Sequence, residues 1–278
     1  MLLYTIIMSK KNSDIINFYE IIPKKYLDKA ENPNLDIHGI KLPFRMCVVA
    51  PSGTGKTNFL LNLLKVFSAG KGTFSTIDIV TSNKDEPLYN YLTGEFDQIT
   101  VKEGMESTPK LDDMDKKENH LVVWDDLVLN KNLDPVCKYY MRARKKNCSV
   151  VFLSQSYYDI PTFIRKNSSY LVLLDLGGSK REQTAIMNEW SSDLDKDELK
   201  LIYNDAVSKE LRPLIITGGK VAKNLKYRKG WSEYYDVDKF LHHHRTGVLP
   251  DASVVVKPKR KYTKKVKDVK HDESDSDY

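Results

Sequence analysis

Cysteine is scarce in this 278-residue chain, and the three present, Cys47, Cys137 and Cys148, form no C-x-x-C pair. That count and spacing exclude a disulfide framework; they point to a reducing compartment, with the thiols acting as small buried apolar groups. Long apolar runs are missing as well. The N-terminal "MLLYTIIMSKK" holds about seven apolar residues, far fewer than the ~20 a spanning helix needs. It lacks a basic segment before the run and a small-residue cleavage site after it, so it does not read as a signal peptide, and Met8 offers an alternative start. Strong charge of one sign is absent too. The net charge is +6, and from residue 257 onward eight Lys/Arg stand against five Asp/Glu, so half of the excess sits in the last 22 residues. The body is only mildly basic, and electrostatics alone does not mark it as a nucleic-acid binder.

The hydrophobic fraction of 41% is that of a globular protein, and the length is enough for one full α/β core. Residues 1–43 carry Pro23, Pro33 and Pro43 as breakers and read as an N-terminal extension with a short helix near residues 15–19. Then come buried-strand patterns at "FRMCVVA" (44–50), "TIDIVTS" (76–82), "HLVVWDD" (120–126), "SVVFLSQ" (149–155), "SYLVLLDL" (169–176) and "PLIIT" (213–217), with a shorter one at "QITV" (98–101). Helical patterns fall between them, over 56–67, 86–92, 132–146, 179–190 and 195–208. Residues 102–119 are charged and contain Gly and Pro, so they read as a loop. This alternation predicts an α/β domain over 44–236, a mostly parallel central sheet with helices on both faces. After residue 236 the periodicity fades, and 237–278 reads as a tail, basic then acidic.

The stretch "APSGTGKT" fits G-x-x-x-x-G-K-[ST] except that Ala50 stands in the first position. A strand precedes it and a helix follows it, which is the context a phosphate loop requires. Pro51, Ser52, Gly53, Thr54 and Gly55 would curl the backbone so that its N–H groups face a polyphosphate, with the start of the helix, including Asn58, adding its positive end. Lys56 would reach the β/γ oxygens and the Thr57 hydroxyl would bind Mg²⁺. "LVVWDD" ends a buried strand in two carboxylates. Asp125 would hold the metal, and Asp126 would orient or deprotonate the attacking water. The nucleotide is therefore expected to be ATP. In additional-strand ATPases a further strand lies between the phosphate-loop strand and the acidic strand, and its polar end touches the γ-phosphate and the water. "SVVFLSQS" matches that pattern, with Gln155 as the sensor. Arg142, Arg144 and Arg165 are candidates for an arginine finger; Arg142 and Arg144, with Lys145 and Lys146, equally suit a DNA path. The run "LHHHR" (241–245) has no spaced carboxylate or cysteine and does not read as a metal site.

Taken together, "PFRMCVVAPSGTGKTNFL", "LVVWDD" and "SVVFLSQSYYDIPTFIRKN", in that order, resemble the genome-packaging ATPases of the FtsK–HerA superfamily, in the form found in large DNA viruses, virophages and polinton-like elements. The resemblance covers about residues 40–220. It implies a RecA-like additional-strand core, a homo-oligomeric ring, and ATP-driven translocation of double-stranded DNA into a preformed capsid, with a capsid or portal-vertex protein as partner. It also implies an intracellular setting, the host cytoplasm or a viral factory, with transient residence at the capsid or in the virion. The other readings open at this point are a nucleotide kinase and a non-hydrolysing ATP-binding scaffold.

Overall fold

The computed structural model describes residues 21, 23, 31–70, 72–127, 132–247 and 255–256. The helix expected near residues 15–19 and the tail from 257 lie outside them. Its centre is a sheet built from β1 (Arg45–Val49), β2 (Thr76–Thr81), β3 (Ile99–Glu103), β4 (His120–Asp125), β5 (Cys148–Ser154), β6 (Tyr170–Leu173), β7 (Leu214–Thr217), β8 (Tyr227–Lys229), β9 (Glu233–Tyr235) and the two-residue β10 (Val255–Val256). The strand order is β10-β9-β8-β7-β6-β1-β5-β4-β2-β3. From β3 to β6 every pairing is parallel. The expected arrangement holds at its diagnostic point, because β5 pairs with β1 on one side and with β4 on the other.

Besides the single turn Leu35–His38, the helices among the described residues include α1 (Lys56–Phe67), α2 (Pro87–Glu95), α3 (Asp134–Arg142), α4 (Thr162–Asn167), α5 (Lys180–Trp190), α6 (Lys196–Ala206) and α7 (Val237–Thr246). They cover both faces because successive strand residues point to opposite sides. On one face Met46, Val48, Val123 and Leu153 pack against Phe59, Leu60 and Leu63 of α1 and Leu92 of α2. On the other, Cys47, Val49, Val122 and Phe152 pack against Tyr140 of α3, Ile164 of α4, Ile186 of α5 and Ile202 of α6. This two-sided burial explains why β4 and β5 are buried at every position. Among the described residues no helix is long and apolar enough to cross a membrane.

Two features differ from the sequence expectation. The run at 213–217 is a core strand, but it lies antiparallel to β6, and it is followed by antiparallel β8, β9 and β10. Those strands are two or three residues long, too short to print a period. The fading of periodicity after residue 236 is also corrected. Asp236 caps α7 by accepting from the Lys239 N–H, and Val237, Phe240 and Leu241 are buried against the core.

The segment before β1 is tied to β8 by Arg228, which is fully buried and donates to the His38 carbonyl at 2.6 Å. His38 is buried too. Its Nδ1 accepts from the Ile40 N–H at 3.0 Å, and its ring lies 4.0 Å from that of Phe67. Burial, with the Arg228 cation adding to it, pushes the imidazole down from 6.5 to about 4. The unfolded chain therefore binds the extra proton between these values, and stability falls as pH drops from 6.5 toward 4. The loss is expected to be on the order of 2–3 kcal/mol at the acid end of that window. Urea titrations at pH 7 and pH 5 check this: His38→Gln should lose less stability between them than the wild type, and parallel losses would refute the assignment.

Candidate nucleotide site

The site lies at the C-terminal edge of the parallel strands, where β1, β5 and β4 end side by side. Strand register brings its parts together. Val49 stands opposite Ser154, and Asp125 opposite Leu153, so Ala50, Asp126 and Gln155 leave the sheet side by side.

The candidate phosphate loop begins where the Ala50 N–H donates to the Ser154 carbonyl at 3.0 Å. Ala50 fits there because a strand end needs no positive φ. The loop then turns on Thr54, whose N–H and hydroxyl both donate to the Pro51 carbonyl. Gly53 and Gly55 adopt φ of 77° and 94°, which L side chains rarely reach, and a Cβ at Gly55 would collide with Leu211 Cδ2. Gly55 caps α1, so Lys56, Thr57 and Asn58 form its first turn. Beside the loop is a cavity of about 330 Å³, lined by Gly53, Thr54, Asp175 and the segment 207–212.

Lys56, 9% exposed, turns its ammonium to the acidic pair. It contacts Asp126 Oδ1 and lies 3.5 Å from Asp125 Oδ1. Asp125 is 4% exposed, and its Oδ2 accepts from the Tyr89 hydroxyl at 2.6 Å. Burial raises its carboxyl above the usual range, while Lys56 and the Tyr89 bond oppose that rise. Its Oδ1 is buried without a hydrogen-bond donor. Asp126 follows at φ 55°, a left-handed backbone uncommon outside glycine, in the kind of place where strain marks function. Its Oδ2 accepts from Gln155 Nε2 at 3.0 Å. Lys56, Asp125, Asp126 and Gln155 thus form one connected group.

Magnesium suits these donors. Thr57 offers a hydroxyl and Asp125 a buried carboxylate oxygen lacking a donor, both hard oxygens. Mg²⁺ takes one or two protein oxygens and fills the rest of its shell with water and phosphate, so it needs no three-ligand cluster, and among the described residues there is none.

The three arginines lie elsewhere. Arg142 ends α3 and Arg144 lies in the 3₁₀ turn Ala143–Lys146, just before the start of β5; Arg165 lies near the end of α4, just before the start of β6. All three therefore sit at the opposite edge of the sheet, a strand length or roughly 20 Å from the phosphate loop. Arg142 is 3.5 Å from Asp112, and Arg165 is 3.6 Å from Glu189.

Two neighbours of the site carry no sequence signal. Tyr89 sits in "PLYNYL", where an aromatic reads as helix core. Glu182, nine-tenths buried, accepts from the Ser156 hydroxyl at 2.5 Å and the Tyr157 N–H at 2.8 Å, and so fixes the turn that follows Gln155. Tyr89→Phe keeps the ring and removes the donor that orients Asp125. It is expected to weaken Mg²⁺ affinity in the presence of an ATP analogue about 10–100-fold. Calorimetric titration with Mg²⁺ measures this, and unchanged affinity would remove Tyr89 from the site.

Residues 38–217 match the family model described as Poxvirus A32 protein. The chain is 26% identical over 155 residues to the DNA packaging protein OPG160 of Variola virus and to that of Vaccinia virus (strain Copenhagen), covering 51% of this chain and 57% of each relative. It thus spans little more than half the length of these curated relatives. Among solved structures it is similar to B204, the DNA-packaging ATPase from Sulfolobus Turreted Icosahedral Virus, at 14% identity and a TM-score of 0.46, covering 67% of this chain and 94% of that one. The family match spans most of the sheet and the whole connected group, and the chain belongs to the poxvirus A32 protein family.

Proposed function

We propose that the protein hydrolyses ATP, with Mg²⁺, to drive double-stranded DNA into a preformed viral capsid. The observation that carries this reading is the meeting of Lys56, Asp125, Asp126 and Gln155 at the ends of adjacent strands beside a phosphate loop. The name of the poxvirus relatives, DNA packaging protein, supports the work to which hydrolysis is coupled.

In this reading the backbone of Pro51, Ser52, Gly53, Thr54 and Gly55 cradles the polyphosphate, and the N-terminal end of α1, with Asn58 in its first turn, adds positive potential. Lys56 stabilises charge on the β/γ oxygens. Thr57 and Asp125 would hold Mg²⁺, which when bound neutralises phosphate charge. Asp126 orients the attacking water and accepts its proton. The water oxygen bonds to the γ-phosphorus, and the bond from that phosphorus to the β–γ bridging oxygen breaks, leaving ADP and phosphate. Gln155 holds the Asp126 carboxylate through the 3.0 Å hydrogen bond, so that it keeps one orientation during the step.

The placement of Arg142 and Arg144 at the far edge supports action on a neighbouring subunit, with one of them as the finger in a homo-oligomeric ring. Arg165 has less freedom for that role, because its side chain is 15% exposed and held by Glu189. A capsid or portal-vertex protein is the expected docking partner, and the host cytoplasm or a viral factory the expected setting.

The test is steady-state ATP hydrolysis with and without duplex DNA. Turnover is expected to rise with duplex and with self-association, and Asp126→Asn is expected to bind ATP normally while losing turnover by at least about 10²-fold. Turnover indifferent to both duplex and protein concentration would contradict the motor, and wild-type turnover in Asp126→Asn would contradict the assignment of the base.

A further inference from the structure

The far edge of the sheet carries a second concentration of positive charge that the nucleotide site does not use. There the ends of α4 and α5 and the chain between β7 and β8 surround an open cleft of about 380 Å³. Backbones approach closely at its wall. The Gly218 N–H donates to the Ser169 carbonyl at 2.8 Å, and a Cβ at Gly218 would lie 3.0 Å from the Ser168 carbonyl. Lys226 lines the cleft and is only 6% exposed. Among the described residues its ammonium has no carboxylate and no hydrogen-bond acceptor; its one charge-stabilising neighbour is the Tyr227 ring, 5.9 Å away. Arg165 also lines the cleft. Its guanidinium rests over the Tyr157 ring at 4.5 Å, and its Nε is buried without an acceptor. Lys166, exposed, is the third cation, and Glu189 is the one carboxylate.

Lys226 is nine-tenths buried as a residue and turns an ammonium without a counter-ion to this opening, and the buried Arg165 Nε–H without an acceptor costs folding free energy. An anion in the cleft would supply the acceptor that the Arg165 Nε–H lacks and the counter-ion that Lys226 lacks. Several cations converging on one opening match the oxygens of a phosphate group. We propose that this cleft binds phosphate and that its occupant is a backbone phosphate of duplex DNA; the choice of occupant rests on the DNA-motor reading above.

The rest of the edge favours a phosphate within a polymer. Strand order places the ends of β7, β6, β1 and β5 next to one another, so Lys226, Arg165, Arg45 and Arg144 follow one edge. At about 4.8 Å per strand that edge extends roughly 15 Å. A DNA strand presents one charge per ~3.4 Å of axis, so the edge meets several. Arg144, Lys145, Lys166 and Lys226 have no carboxylate partner among the described residues, whereas Arg142 and Arg165 have theirs.

The experiment uses the full chain with Lys166→Ala and Lys226→Met. Lys166 is exposed, and methionine fills the space of the Lys226 stem, so both variants should keep the wild-type melting profile by circular dichroism. Duplex affinity is read by fluorescence anisotropy between about 50 and 200 mM salt. Each variant is expected to bind duplex of any sequence more weakly, with a log–log salt slope shallower by about 0.9. ATP affinity should not change. Wild-type salt slopes in both variants would overturn the proposal. Wild-type duplex binding with lost ATP turnover on self-association would assign the phosphate to a neighbouring copy's nucleotide and overturn the DNA assignment. Should the wild type itself bind no duplex, the motor reading fails, and melting with inorganic phosphate then decides the cleft. A stabilisation present in the wild type and absent in Lys226→Met upholds the anion site; no stabilisation in the wild type overturns it.

Discussion

The positive charge of Lys56 constrains the rest of this structure. Its ammonium is nearly excluded from water, so it must be matched by negative groups close by or abandoned at a cost of several kcal/mol. Asp125 and Asp126 supply the match, and each is tied down in turn, Asp125 by the Tyr89 hydroxyl and Asp126 by the Gln155 amide. In the proposed mechanism a charged group held this way is already oriented before a phosphate chain arrives. That is the form of preorganisation that stabilises a transferring phosphoryl group.

The sheet exists in the form that makes this contact possible. A parallel strand order with β5 inserted between β1 and β4 lines up three strand ends, and two-sided apolar burial holds their relative heights fixed. The left-handed backbone at Asp126 departs from strand geometry at the point where its carboxylate meets Lys56, and glycines release the phosphate loop at 53 and 55. Stability is given up at these positions and recovered in the fully buried runs of β4 and β5. The antiparallel strands β7 to β9 extend the same sheet on its other side and build the wall of the cationic cleft. One edge of the parallel strands thus gathers groups suited to a nucleotide, and the other gathers cations.

Much of this was legible in the sequence, and for identifiable reasons. Buried parallel strands are apolar at almost every position, so "VVFLS" and "LVVWD" reveal themselves without an alignment. The candidate phosphate loop is local, since "APSGTGKT" is one continuous stretch whose roles depend mainly on immediate neighbours. Gln155 drew notice because a buried strand ends there in polar residues, in a pattern shared with additional-strand ATPases. By contrast, Tyr89 and Glu182 reach the site through tertiary packing, from helices whose own periodicity explains them. Arg142, Arg144 and Arg165 were visible as cations, but which edge of the sheet they occupy depends on strand direction. Lys226 carries no signal in the sequence, since distant strands and helices bury its stem and local pattern leaves no trace of that.

The central claim, that the acid pair and Lys56 enclose the place of the γ-phosphate, is tested most directly by a structure determined with a non-hydrolysable ATP analogue and Mg²⁺. The account predicts the γ-phosphate within hydrogen-bonding reach of Lys56, at the ends of β1, β4 and β5, with Asp126 and Gln155 facing it. An analogue bound away from these strand ends, with the contact between Lys56 and Asp126 undisturbed, would contradict it.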